Sequence, residues 1–120
     1  MREFLLVGAG GFIGASLRFA VSLAMQRWTG TFPWATLSIN VTGCFLIGLL
    51  MPVVEQKPLA WALVVPGILG GYTTFSSFGY ETWRLAVGGR GVLGALYVAA
   101  SVGLGLAAVW GGRWMSPVLK

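Results

Sequence analysis

Apolar residues fill four long blocks of this chain, about Glu3 to Met25, Pro33 to Val54, Leu59 to Arg84 and Gly91 to Gly112. Each is close to the roughly 20 residues that an α-helix needs to cross the hydrocarbon core of a bilayer. The connections, Gln26 to Phe32, Glu55 to Pro58 and Leu85 to Arg90, are short and carry the Gly, Pro and charged residues of turns. Trp28, Trp34, Trp61, Trp83, Trp110 and Trp114 fall near the block ends, where an amphipathic indole prefers the headgroup level. The pattern predicts an all-α integral membrane protein, one four-helix domain over residues 1–120 without internal repeat or linker. Arg2 precedes a long apolar run with no small-x-small cleavage site, so the first block reads as a retained helix and not a signal peptide.

The third block departs from the pattern. Gly67-Ile68-Leu69-Gly70-Gly71-Tyr72-Thr73-Thr74-Phe75-Ser76-Ser77-Phe78 places helix breakers and five hydroxyl side chains in the middle of an apolar span. The third helix is therefore expected to be broken near its middle. A break in hydrocarbon strips backbone N–H and C=O groups of partners, at a cost that protein, water or an ion must offset. An ion or substrate site is the first reading. The half ending near Gly70-Gly71 offers free carbonyls and the negative end of a helix dipole, suited to a small cation; the half starting at Thr73-Thr74 has hydroxyls available as caps.

Composition sharpens the class. With 57% hydrophobic and 9% charged residues, 19 Gly and no His among 120, the chain lacks the charged surface of a soluble domain. The net charge of +5 comes from eight Lys and Arg scattered singly, which argues against a nucleic-acid partner and for membrane interfaces in contact with lipid. Four crossings put Arg2, Lys57, Arg113 and Lys120 on one side and Arg27, Arg84 and Arg90 on the other, a four-to-three split without bias. Since topology follows from that asymmetry, its absence points to insertion in both senses and to an antiparallel, dual-topology homodimer. A dimer also relieves the thinness of a single four-helix bundle, because two inverted copies reproduce the inverted-repeat plan of larger transporters.

Chemistry-bearing residues are few. Val7-Gly8-Ala9-Gly10-Gly11-Phe12-Ile13-Gly14-Ala15 imitates a dinucleotide-binding glycine loop, but no acid lies between Glu3 and Glu55 and no alternating strands surround it. Packing glycines on the first helix are preferred, as they are for Gly43, Gly94 and Gly103. Without His or Asp, and with Glu3, Glu55 and Glu81 far apart, no catalytic or metal-hydrolytic set exists, so an enzyme is not expected. Cys44 lies in an apolar run and reads as a small buried hydrophobe. Arg18, deep in the first block, either snorkels or draws anions to a vestibule. Asn40, one turn after Thr36, is either interhelical glue worth about 0.6 to 2 kcal/mol or a donor lining a polar path. Tyr97 and Ser101 share a helix face at i and i+4, with Gly105 next along it. Phe75 and Phe78, at i and i+3, are packing residues or present positive ring edges to a poorly hydrated anion.

Gly11-Phe12-Ile13-Gly14-Ala15-Ser16-Leu17-Arg18-Phe19, Ala35-Thr36-Leu37-Ser38-Ile39-Asn40-Val41-Thr42-Gly43 and the Gly67 to Phe78 stretch closely resemble the three signature blocks of the Fluc/CrcB fluoride channels. The resemblance covers nearly the whole chain. It implies a passive fluoride channel of the plasma (inner) membrane, a dual-topology dimer with two pores, exporting the ion from the cytoplasm. It further implies that Asn40, Phe75 and Phe78 line the pore, to which Thr36 and Ser77 also belong, and that Tyr97 and Ser101 form its polar track. Backbone carbonyls of Gly70 and Thr73 from both subunits would hold a structural sodium ion. The family's hydroxyl beyond Ser101 is Gly105 here. Glu81 would stand near a pore mouth, with a salt bridge or a solvated acid as equal readings.

Two alternatives belong to other classes. A dual-topology small multidrug exporter needs a proton-exchanging carboxylate inside a helix, and only Glu81, near an end, is a candidate. A dinucleotide-binding protein fails on the context of its glycines.

Overall fold

A computed structural model describes residues 1–28 and 30–116. Lys120, counted above in the charge balance, and the Trp28 side chain lie outside the description. The described residues form helices and no strand: α1 (Arg2–Met25), a 3₁₀ turn (Gln26–Trp28), α2 (Trp34–Val54), α3 (helical from Pro58, ending at Tyr72), α4 (Phe75–Val87) and α5 (Gly91–Met115). Four spans, Arg2–Met25, Trp34–Val54, Pro58–Val87 and Gly91–Met115, are long and apolar enough to cross a membrane. The longest dimension, 47 Å, compares with about 40–45 Å for a bilayer with its headgroups.

The apolar surface faces outward. Phe4, Phe12, Phe19, Leu96, Leu106 and Trp110 are exposed, while the buried hydrophobic set is short and includes Leu37, Ile39, Leu69, Leu85 and Tyr97. In water such a surface would drive aggregation; against lipid it is the expected finish of a spanning bundle. Trp34, Trp61, Trp83, Trp110 and Trp114 are all among the exposed side chains.

Because lipid offers no hydrophobic drive for helix association, close backbone approach has to supply it. α1 lies along α3 through Gly10 and Gly14: a methyl group at Gly14 would sit 2.8 Å from the Tyr72 amide nitrogen, and one at Gly10 2.9 Å from the Gly67 Cα. α2 packs along α5 in the same way through Gly48 and Gly112. Gly103, by contrast, has open space beside it within the protomer.

Two local features go beyond the hydropathy blocks. Within α3, Leu63–Leu69 is π-helical around Pro66, which has no N–H to donate and whose ring demands extra room in the preceding turn. The third block stays helical to Val87 and not Arg84, because no breaker intervenes before Gly88-Gly89. There Gly89 takes φ of 74°, the left-handed region that favours glycine, and the Arg90 amide returns to the Leu85 carbonyl at 2.9 Å.

Candidate functional site

Between Tyr72 and Phe75 the backbone leaves the helix, with Thr73 at φ −77°, ψ 158° and Thr74 at φ −148°, ψ 111°, both extended. In a continuing helix the Thr74 N–H would close on the Gly70 carbonyl. Instead it donates to Asn40 Oδ1 of α2 at 2.9 Å, and Asn40 Nδ2 donates back to the Thr74 carbonyl at 3.1 Å. The side-chain amide thus pairs with the N–H and C=O of one residue, as the facing residue of a neighbouring antiparallel strand would. Because Thr74 is buried, those two bonds satisfy backbone groups largely withdrawn from other partners. One N–H of the Asn40 amide remains beyond this pair.

Downstream, Thr74 is also the N-cap of α4. Its Oγ1 accepts from the Ser77 N–H at 3.2 Å and lies 3.0 Å from the Ser77 hydroxyl. Upstream, the Thr73 amide and hydroxyl both donate to the Leu69 carbonyl at 3.0 Å. The Thr73 carbonyl accepts from Arg18 Nη1 at 3.3 Å, so the guanidinium turns to the end of α3.

Two hollows flank the Asn40–Thr74 pair. The larger, about 410 Å³, is lined by Asn40, Cys44, Gly70, Thr73, Phe75, Phe78 and Ser101 among others. Phe78 is held at 5.3 Å from the Tyr97 ring and 5.5 Å from Phe75, while Phe75 is 83% exposed. The Ser101 hydroxyl oxygen is buried and has no hydrogen-bond partner among the described residues. The second hollow, about 370 Å³, opens past Arg18, Ser22, Thr36, Thr74, Ser76 and Ser77.

The sequence candidates therefore divide into three groups. Asn40, Phe75, Phe78, Ser101, Gly70 and Thr73 meet at the larger hollow, and Arg18, Thr36 and Ser77 at the smaller. Tyr97 lines neither. It is 0% exposed, and its hydroxyl donates to Glu81 Oε2 at 2.8 Å while the Thr36 hydroxyl donates to Glu81 Oε1 at 2.8 Å. Two hydroxyls, from α2 and α5, hold the partly buried Glu81 carboxylate. Sequence spacing does not show this triad, because its members stand on three different helices.

For a cation, the described residues offer no cluster of His, Cys, Asp or Glu. What they offer is carbonyl oxygen. Gly70 is exposed at the hollow, and the amide that would close on its carbonyl is committed to Asn40. Hard oxygen donors of this kind fit an alkali cation, with the qualification that Thr73 already shares its carbonyl with Arg18.

Four apolar spans around a polar, aromatic-walled interruption define a small multi-pass membrane protein. Residues 5–113 match the family described as CrcB-like protein, Camphor Resistance (CrcB), and the chain belongs to that family. It is 46% identical over 117 residues, 93% of this chain and 94% of the relative, to the "Fluoride-specific ion channel FluC" of Rhizobium meliloti (strain 1021). Proteins of the same name from Roseiflexus sp. (strain RS-1) and Acidobacterium capsulatum are 41% and 45% identical, over 98% and 90% of this chain and of their own lengths. These relatives carry the names of channels and not of enzymes.

Proposed function

We propose that this chain is a fluoride channel that lets the ion leave the cytoplasm passively through the inner membrane. The observation that carries the reading is the Asn40–Thr74 pair: a helix interruption kept inside an apolar span, tied off by one amide, beside a hollow walled by Phe75, Phe78 and Ser101. Near-full-length identity to relatives named as fluoride-specific channels supports the choice of ion. Fluoride is small and strongly hydrated, so a path for it must replace water with donors. The free Asn40 N–H and the Ser101 hydroxyl can donate, and the rings of Phe75 and Phe78 can turn positive edges inward. No fixed cation lines the larger hollow, which suits rapid exit.

The channel is a dimer of two copies inserted in opposite senses, with two pores. The balanced loop charges support this. The third span crosses as two half-helices meeting at Thr73-Thr74. Carbonyls of Gly70 and Thr73 from both copies hold a sodium ion where the copies meet; four oxygens would surround it, and the cation would offset the negative ends of two helices.

Expression of the chain in a bacterium that lacks its own fluoride exporter tests this in cells. Growth in fluoride is restored if the reading is right, and failure of a membrane-inserted, dimeric product to restore it contradicts the reading.

A further inference from the structure

A further hollow, about 360 Å³ and so within the range of small-molecule sites, lies where α2 and α5 end side by side. Ile47, Met51 and Trp110 make its wall apolar, and its lining also holds two opposite charges, Glu55 and Arg113. Both charged residues are exposed at the ends of membrane spans, the level at which headgroups sit. Among the described residues neither side chain has a hydrogen bond or an ion pair. The α2 side of the hollow is short of positive charge. Glu55 is the C-cap of α2, at the negative end of the helix dipole, and no basic residue stands in the last turn. Pro52 in that turn has no N–H, so the Gly48 carbonyl lacks the amide that would close on it. An acid, a helix end and a carbonyl call for a cation with hydrogen to donate, while Arg113 on α5 calls for an anion.

We propose that this hollow seats the headgroup of a phospholipid that carries both a phosphate and a primary ammonium group, as phosphatidylethanolamine does. The phosphate pairs with Arg113, the ammonium donates to Glu55, and an acyl tail runs along Ile47, Met51 and Trp110. A quaternary ammonium has no hydrogen for the carboxylate, and a headgroup with phosphate alone leaves Glu55 unpaired beside a second negative charge. A second copy of the protein does not complete the site. In the antiparallel dimer proposed above, the end brought to this membrane face carries Arg27, Arg84 and Arg90, and its one acid, Glu81, is held by Thr36 and Tyr97. Such a partner has cations for Glu55 but no carboxylate for Arg113, whereas one lipid molecule supplies both signs. The choice of lipid over a second copy rests on the dimer reading; the site itself does not.

The purified full-length protein is titrated in detergent with phosphatidylethanolamine, phosphatidylglycerol or phosphatidylcholine of the same acyl composition, and bound lipid is counted by native mass spectrometry. One phosphatidylethanolamine per protomer should bind about fivefold more tightly than either of the others, the difference that one partly hydrated ion pair makes. Glu55→Gln should remove that preference, and Arg113→Gln should weaken all three lipids. Glu55→Lys, which places two cations in the hollow, should turn the preference to phosphatidylglycerol. Both positions are exposed, so the variants should assemble as the parent does.

Parental affinity for phosphatidylethanolamine in both Glu55→Gln and Arg113→Gln overturns the proposal, because the lipid then binds elsewhere. Equal binding of the three lipids by the parent also overturns it. So does retention of none, the result expected if a second copy covers the hollow. Fluoride flux measured on the same preparations keeps the two readings apart: a parent that passes no fluoride contradicts the channel reading, while the lipid counts alone decide this site.

Discussion

Replacing Asn40 with alanine removes both bonds that hold the interruption, the 2.9 Å bond from the Thr74 amide and the 3.1 Å bond to the Thr74 carbonyl. Each backbone group left unpaired in a buried setting costs about 1–3 kcal/mol, so the pair is worth about 2–6 kcal/mol, toward the lower figure if water from the adjoining hollow reaches Thr74. The same substitution deletes the N–H left over for the path. Asn40→Ala should therefore lower the melting temperature of the dimer and strongly reduce fluoride flux in the fraction that remains assembled. Asn40→Asp separates the two bonds, because a carboxylate still accepts from the Thr74 amide but cannot donate to its carbonyl; its melting temperature should fall between the other two. Thermal unfolding followed by fluorescence-detected size-exclusion chromatography reads the first effect, and a fluoride electrode reads the second. Parental melting and parental flux in Asn40→Ala would refute the reasoning, since the amide would then be neither tie nor donor.

Three further outcomes follow from the packing and the hydrogen bonds. Tyr97→Phe keeps the ring against Phe32 and Phe78 but leaves Glu81 Oε2 unpartnered, and should cost about 1–3 kcal/mol by thermal unfolding; the double variant with Thr36→Val should cost less than the sum, because both hydroxyls serve one carboxylate. Gly14→Leu cannot be accommodated with the Tyr72 amide 2.8 Å from the new Cβ, and should abolish a stable fold, read as loss of the monodisperse peak in detergent. At Gly70 an added Cβ meets only the Val65 carbonyl, at 3.5 Å, within its own protomer, so a Gly70→Val variant that fails to dimerise, or that loses bound sodium by elemental analysis, reports on the partner copy; a normal dimer with unchanged sodium contradicts the carbonyl site.

The spanning helices were legible because lipid imposes one rule, a long apolar run, and the chain obeys it with few departures. The place of the interruption was legible too, since glycines and hydroxyls at mid-span have few other reasons to be there. Thr74 as the cap of α4 follows from the same local logic. What binds the site together was harder to read. Asn40 stood as either glue or donor, and only its Thr74 partner, 34 residues away, shows that most of its capacity is committed to the backbone. Glu81 was ambiguous for the same reason, as its fate depends on Thr36 and Tyr97 from two other helices. The π-helical stretch left one visible sign, Pro66 in mid-span.

The central claim, a path that passes fluoride and not chloride, is tested most directly by efflux from a single preparation of proteoliposomes loaded with both ions and read by two electrodes. The account predicts rapid release of fluoride, strongly reduced in Phe78→Ala, with chloride retained until detergent is added. Equal release of both ions, or retention of both by verified dimers, would contradict it.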